Sequence, residues 1–333
     1  MTKIGYAAAL EQFHPTELLN YCQIAEKSGF RGVLAADHFQ PWVPQQGQSA
    51  FVYSWLGALG TMTKSDFGPG VTCPSFRYHP AVIAQAAATL AAMFPGRFWL
   101  GLGAGEALNE QVVGGVWPDS LTRLEMLIES VEIIQKLLSG KKARYRGKYF
   151  TLNPTKLYTL PTKPIPIYIA ATGPQTLEFT GRVCDGLITP GASPDKLRAI
   201  LASFAKGAEA VGKDPQKMAK LLQLHISWAE TYEEALQNAL LEWPNGGMNF
   251  PKQDIRSPDD FAAMAKLVRP ENFKDRVLIS ADLDEHRQHL QSFLDLGFDQ
   301  IYLHNVGRNQ EAFLKVFGAK IIPNLKSCEG KSN

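Results

Sequence analysis

RFWLGLGAGEALNE, residues 97–110, is an apolar run that ends in glycines and passes into a polar, helix-forming stretch. Strand, glycine turn and helix in that order make one unit of a parallel α/β fold. The glycines read GxGxG and lack the third glycine of GxGxxG. The usual fingerprint of an open dinucleotide-binding sheet is therefore absent.

The same unit recurs on both sides. Towards the N-terminus lie IGYAAAL (4–10) with a helix over 15–28, GVLAADH (32–38) with a helix over 51–63, and FGPGVTCP (67–74). Pro80 then opens the alanine-rich helix AVIAQAAATLAAM, because proline suits a first helical turn. Towards the C-terminus a helix over 120–138 is followed by IPIYIAAT (165–172) with a helix over 174–183, and GLIT (186–189) with a helix over 194–211. LLQLHISWA (221–229) precedes a helix over 232–240, and a helix over 284–296 leads to QIYLHNVG (300–307) and a closing helix over 310–322. Eight nearly continuous apolar strands with amphipathic helices between them predict a single (β/α)8 TIM barrel. An open doubly wound sheet is the alternative, since periodicity carries no information about closure. The whole chain, 1–333, reads as one barrel domain with rim insertions around 141–164 and 242–272. In the first, ARYRGKYFTL (143–152) reads as a hairpin turning at Arg146-Gly147; the second is interrupted by Pro and Gly and helical in part.

Composition narrows the function classes. With 45% hydrophobic and 20% charged residues the chain has no disorder signature. A formal net charge of +2 without a Lys/Arg block gives nucleic acid or an acidic membrane nothing to bind. Cys22, Cys73, Cys184 and Cys328 are widely spaced, with no CxxC pair, which predicts a reducing compartment and no structural zinc. The N-terminus has no signal-peptide pattern and no apolar run reaches membrane-span length, so the expected location is cytoplasmic. No His/Asp/Glu cluster has metal-ligand spacing, and no metal is expected.

Barrel active sites form at the C-terminal ends of the strands. That rule selects Glu11, Asp37 and His38, Cys73, Glu106, and Thr172 with Gly173 after strands 1 to 5, with Trp228 and His304 on later strands. His38 is suited to exchange a proton with a substrate hydroxyl; its plain alternative is a loop histidine bonded to a backbone carbonyl. Asp37 either orients His38 or caps a turn, and Trp42 is either a substrate platform or a packing residue. Glu106 follows a glycine turn where exposed N–H groups suit an electron-rich ligand, or it simply favours the first turn of the next helix. The glycines allow a flat ring close to the backbone, or tight strand–helix packing. His79, before Pro80, reads as structural; His286 and His289 read as solvated.

Taken together, EQF (11–13), DHFQPW (37–42), FRYHPAVIAQ (76–85), GLGAGEALNE (101–110), WP (117–118) and YIAATGP (168–174) resemble the luciferase-like superfamily. Within it they resemble the F420-dependent oxidoreductases, over essentially the whole chain. The resemblance implies a deazaflavin, coenzyme F420, with Asp37, His38, Gly70, Val71, Cys73, Gly105, Glu106 and Asn109 around its ring. Ala170, Ala171, Thr172, Gly173 and Pro174 would follow its phosphate-bearing tail. It also implies a non-proline cis peptide at Gly70-Val71 and a homodimer. In the implied reaction His38 takes the hydroxyl proton as a hydride moves to C5, and Glu106 protonates N1. Trp42 packs against the substrate, with Glu11 close by.

The substrate, a small molecule, is implied less narrowly: an alcohol, a carbonyl or a sugar phosphate. Of the cations that hold a sugar phosphate in the resembling enzymes, Arg276 matches. The two other positions fall near Ser193 and Ile255, where Lys196, Lys252 and Arg256 are neighbours. QSA (48–50) is more similar to the alcohol dehydrogenase branch. The alternative enzyme class is an FMN-dependent monooxygenase, and the alternative to an enzyme is a barrel that binds F420 or flavin without turnover. Retention of His38, Trp42 and Glu106 speaks for catalysis.

Overall fold

Three aromatic side chains, Trp99, Tyr168 and Tyr302, fill the lower interior of a ring of parallel strands in the computed structural model, which describes residues 3–326. Trp99 lies 5.6 Å from Tyr168 and 5.9 Å from Tyr302, ring centre to ring centre. Rings of this size leave no room opposite. A Cβ at Gly5 would stand 2.4 Å from the Tyr302 ring, so a side chain there would break the packing.

The ring consists of β1 (Lys3–Ala8), β2 (Val33–Ala35), β3 (Phe67–Pro69), β4 (Leu100–Leu102), β5 (Ile167–Ala170), β6 (Gly186–Pro190), β7 (Ala219–Trp228) and β8 (Gln300–Asn305). Each pairs in parallel with its neighbours, and β8 returns to β1. β3 and β4 meet through the bridges Phe67–Phe98 and Thr72–Leu102, which close the ring. The barrel expected from the eight repeated units is therefore the observed fold, and the open sheet is not.

Outside the strands, helices present apolar stripes to the ring. Asp119 accepts from the amides of Leu121 and Thr122, both at 2.9 Å, and so fixes the start of helix Ser120–Leu138. That helix buries Leu127, Val131, Ile134 and Leu137, spaced at four, three and three residues. Each such side chain contributes about 1.5–3 kcal/mol by leaving water. His79 caps helix Pro80–Met93 by accepting from the Ala81 amide at 3.2 Å, the structural role expected of it.

The expected hairpin forms, with strands Ala143–Arg146 and Thr151–Thr155. Glu129 holds its turn by accepting from the amides of Lys148, Tyr149 and Phe150. The second stretch carries helices Pro244–Gly247 and Pro258–Ala265 and a turn of 3-10 helix at Pro270–Phe273. Trp243, Met248, Phe261, Val268 and Phe273 gather there into an apolar cluster of their own with Val43, Leu108 and Val306.

Three expectations need correction. Strands 2, 3 and 4 are each three residues long, because beyond them the chain leaves the ladder and forms the loops of the mouth. A ninth strand, Val277–Ser280, continues along β7 beyond the end of β6; VLIS is too short to declare itself by periodicity. His286 is buried, not solvated: its Nε2 lies 3.0 Å from the Ser280 carbonyl and its ring packs on Phe317, while His289 is half-buried against Phe293. Cys22, Cys73 and Cys184 are buried and free, and Cys328 lies outside the described residues. No helix among the described residues is long and apolar enough to cross a membrane.

Candidate active site

The loops after β1 and β2 bring a carboxyl and an imidazole face to face. His38 Nδ1 stands 3.3 Å from Glu11 Oε1, in a contact that is not aligned as a hydrogen bond. The QSA segment fixes both backbones: the Gln48 amide donates to the Glu11 carbonyl at 3.0 Å, and Ser49 Oγ donates to the His38 carbonyl at 2.8 Å. Trp42 meets the His38 ring edge-on at 5.1 Å and is itself wedged against Phe261 at 5.2 Å.

Asp37 does not orient His38 directly. Its Oδ2 accepts from Thr72 Oγ1 at 2.7 Å, and its Oδ1 accepts from Arg77 Nη2 and Tyr78, both at 3.2 Å. Arg77 also donates through Nε to Glu110 at 3.2 Å and through Nη2 to the Asp37 carbonyl at 2.9 Å. Asn109 completes the brace by accepting from the amides of Phe39 and Gln40 at 2.9 and 3.2 Å. The loop after β4 therefore holds the loop that carries His38. Arg77 and Glu110 were not singled out by sequence reasoning, although both lie within quoted segments; a buried cation between two carboxylates has no sequence spacing of its own.

Beside this brace the floor of the mouth is built from small residues. The Gly70-Val71 peptide is cis, as the resemblance implied. A Cβ on Gly103 would meet Val71 Cγ2 at 2.6 Å, and one on Gly105, at φ +80°, would meet Cys73 Sγ at 2.7 Å. Ala170, at the end of β5, lies beside Gly103. Thr172, Gly173 and Pro174 are exposed at the start of helix Pro174–Val183, whereas Ala171 turns its side chain into the outer core. Glu106 stands at the start of the short helix Ala107–Glu110 without a side-chain capping bond, and its Oε2 is enclosed without a partner, as is Oε2 of Glu11. The glycines thus serve close packing against Val71 and Cys73, and the unpartnered buried oxygens of Glu11 and Glu106 are what a hydrogen-bonding ligand would satisfy.

Burial sets the protonation states. It pushes Glu106 up to about 7, against the opposing charge of Lys252. It pushes Glu11 up to about 7 as well, with Glu106 adding to the rise. The His38 imidazole is pulled down to about 3, by burial first and by the Arg77 charge second. His38 is therefore a neutral base throughout the physiological range, not the near-neutral titrating group expected from its type.

On the opposite wall His225 of β7 and His304 of β8 meet Nδ1 to Nδ1 at 2.9 Å, and His304 Nε2 lies 2.9 Å from Gln12 Oε1. Trp243 packs on both imidazoles, at 4.7 and 4.6 Å. A narrow cavity runs between this wall and Glu11, lined also by Ala36 and Gln223. Lys252 is half-buried, donates to the Asn245 carbonyl at 2.8 Å, and sits close enough to Glu106 and His225 for its charge to act on both. Arg276 is exposed and holds a turn: Nη1 donates to the Met248 carbonyl at 2.8 Å and Nη2 to Asn249 Oδ1. Lys196 and Arg256 are exposed.

The family described as luciferase-like monooxygenases matches residues 1–300. The chain belongs to the luciferase-like family. Among curated proteins it is 36% identical to an F420-dependent glucose-6-phosphate dehydrogenase of Microbacterium testaceum, over 97% of each chain. It is 35% identical to the protein of the same name from Nakamurella multipartita, over 99% of this chain and 98% of that one. Among solved structures it superposes with a TM-score of 0.93 on an F420-dependent secondary alcohol dehydrogenase in complex with an F420-acetone adduct, at 33% identity over 98% and 99% of the two chains.

Within this luciferase-like barrel the residues read from the sequence divide into two groups. Glu11, His38, Trp42, Cys73, Gly105 and Glu106 converge on one side of the mouth. Trp228 does not reach it: its ring packs on Phe317 in the outer layer. His225, Gln12 and Trp243 escaped notice, since none ends a strand in the way the strand-end rule requires.

Proposed function

We propose that this luciferase-like chain is a dehydrogenase or reductase that moves a hydride between the carbon of a CH–OH group, or the matching carbonyl, and coenzyme F420. The observation that carries the reading is the convergence of His38, Glu11 and Glu106, each with an unpartnered buried atom, on one mouth. The activities named for its relatives support it. When bound, the deazaflavin supplies the hydride acceptor at C5.

The protein's own groups then divide the protons. His38 Nε2 takes the proton from the substrate hydroxyl. His38 holds a proton poorly, and the charge of ionised Glu11, 3.3 Å from Nδ1, stabilises the imidazolium that forms. Glu106, protonated up to about pH 7, holds a proton on the same side of the mouth for the ring nitrogen N1. Asp37, Arg77 and Asn109 keep the His38 and Glu106 loops in register.

The substrate is an alcohol, a carbonyl or a sugar phosphate. Of the rim cations, Lys252 is half-buried and its charge reaches Glu106 and His225, while Arg276, Arg256 and Lys196 are exposed. Fluorescence-quenching titrations with F420 and FMN test the cofactor, using protein from a host that lacks F420. F420 should bind at least tenfold more tightly than FMN, a gap of about 1.4 kcal/mol. Equal or tighter FMN binding, with oxygen consumed on reduction, would move the chain to the monooxygenase branch.

A further inference from the structure

The paired histidines on the far wall have a tautomeric order that the hydrogen bonds dictate. Gln12 Nε2 donates to the Val306 carbonyl at 3.0 Å and points to Glu242 Oε2 at 3.4 Å. Reversing this amide would set its oxygen against a carbonyl and a carboxylate, so its orientation is fixed. Gln12 Oε1 is therefore the acceptor in its 2.9 Å contact with His304, and His304 Nε2 carries the hydrogen. His304 is fully buried and makes no ion pair with a carboxylate, and burial holds it neutral, with a pKa well below the usual range. A neutral ring with its hydrogen on Nε2 has a bare Nδ1, so the hydrogen in the 2.9 Å contact between the two rings belongs to His225 Nδ1. His225 is also neutral, since burial and the Lys252 charge pull it down to about 3. Its remaining nitrogen, Nε2, is then an acceptor and cannot be a donor.

That nitrogen has no hydrogen-bond partner among the described residues, on a half-buried ring. Trp243 fixes the plane of the ring, with centroids 4.7 Å apart and planes 33° apart. Trp243 and His304, the two rings that His225 packs against, line the cavity that reaches Glu11. Gln223, two residues before His225 on β7, lines that cavity too. Asn245 Oδ1, on a residue 98% removed from solvent, is another acceptor without a partner, and the backbone oxygen of Asn245 takes the Lys252 amine. A plain secondary alcohol would offer a hydrogen to neither acceptor, and an unmatched buried acceptor such as Asn245 Oδ1 is costly.

We propose that His225 is a specificity-determining residue whose Nε2 accepts a hydrogen bond from a second hydroxyl of the substrate, beside the one that is oxidised. The preferred substrate class is thus polyhydroxylated. This rests on the dehydrogenase reading above and narrows it.

Two measurements on the full-length protein test the inference. In the first, 15N-histidine correlation spectra at pH 7.5, assigned with His225→Gln and His304→Gln, should show hydrogen on Nδ1 of His225 and on Nε2 of His304. Hydrogen on His225 Nε2 overturns the proposal. In the second, kcat/KM for F420 reduction is compared between 2-propanol and propane-1,2-diol, which share the same methyl carbinol and differ by one hydroxyl, with glucose 6-phosphate as a larger polyol. Wild type should favour the hydroxylated substrates. His225→Phe, which keeps a ring against Trp243, should lower the diol-to-2-propanol ratio at least tenfold. His225→Gln, which keeps an acceptor, should recover part of it. Thermal melting and F420 titration establish that each variant is folded and loaded. A wild type that uses 2-propanol at least as well as both polyols overturns the proposal while leaving the dehydrogenase reading standing, and so does an unchanged ratio in His225→Phe. If no alcohol reduces F420, and reduced F420 converts neither acetone nor hydroxyacetone, the dehydrogenase reading fails and this inference fails with it.

Discussion

The β1–β4 side of the mouth and the β7–β8 side are built from the same residue types and wired in opposite ways. On the first side His38, Glu11 and Glu106 each keep a buried polar atom without a partner, while the loops that carry them are braced by Arg77, Asp37, Glu110 and Asn109. On the second, His225, His304 and Gln12 bond to one another in a line. Groups left unmatched on a rigid frame are free to exchange protons with what binds; the chain on the far wall fixes where each hydrogen lies and leaves one end, His225 Nε2, as an acceptor that can only position a donor. On the proposed function, the difference would separate chemistry from recognition within a single barrel mouth.

The comparison breaks most readily at His38. If the first side carries the chemistry, His38→Ala lowers kcat by about 10²–10⁴, the usual worth of a positioned base, and leaves F420 affinity intact. Rapid-mixing reduction of bound F420 measures the step directly. A folded, F420-saturated His38→Ala protein that reduces its cofactor at the wild-type rate would remove the base from His38. His304→Gln, on the second side, should change kcat far less than that.

The brace makes the next largest claim. The Arg77 side chain is 6% exposed and lies against Asp37 and Glu110, both buried. Arg77→Met leaves two carboxylates without their cation. Urea unfolding at pH 7.5 should show a loss of about 3–5 kcal/mol, the usual cost of breaking a buried pair from one end. A loss below 1 kcal/mol would mean that the loops stand without the brace.

Protonation sharpens the contrast further. In the proposed reaction alcohol oxidation would use ionised Glu11 and protonated Glu106, and burial raises both carboxyls to about 7. Activity should therefore peak near neutrality and fall on either side, the acid limb following Glu11 and the alkaline limb Glu106. Glu11→Gln should abolish the acid limb. Stability has its own sign. Burial raises Glu106 from 4.5 to about 7, so the stability this carboxyl contributes is complete below pH 4.5 and is lost as pH rises through 7. Glu106→Gln has no such slope and should gain on wild type by roughly 1–3 kcal/mol between pH 5 and pH 8. Equal pH dependence of melting in the two proteins would show that Glu106 titrates normally.

How much of this could be read in the sequence follows the same division. Strand-end position announces Glu11, His38 and Glu106, because a parallel barrel delivers every strand end to one mouth. Eight apolar runs separated by amphipathic helices announce the barrel for a related reason: each strand is buried on both faces. Of the far wall only His304 was legible, as a residue on a late strand. His225 lies within LLQLHISWA, where alternation shows only that it faces inwards, and its partners Gln12 and His304 are 213 and 79 residues away in the chain. Arg77 was hidden in the same way, since its two carboxylates belong to different loops. The rim was legible as an interruption and no more, because Pro and Gly mark where periodicity stops and say nothing about which cation faces inwards.

The smallest expected effect concerns that rim. Arg276 matches by position a cation that holds a phosphate in resembling enzymes, yet both of its Nη atoms already donate to the 248–249 turn. Lys252 is half-buried, and its charge reaches Glu106 and His225. A phosphate at this mouth would take its charge-assisted contacts first from this half-buried cation, since such contacts weaken sharply with distance and solvent exposure. Lys252→Ala should therefore raise KM for glucose 6-phosphate about tenfold or more. Arg276→Ala should raise it less than threefold and lower stability by under about 1 kcal/mol, as expected for exposed polar contacts. Steady-state kinetics at two ionic strengths distinguish the two, because the Lys252 effect should shrink with added salt less than any effect at exposed Arg276. Should Arg276→Ala prove the costlier change, the 248–249 turn must release the guanidinium when substrate arrives, and the rim would then take part in binding instead of merely covering the site.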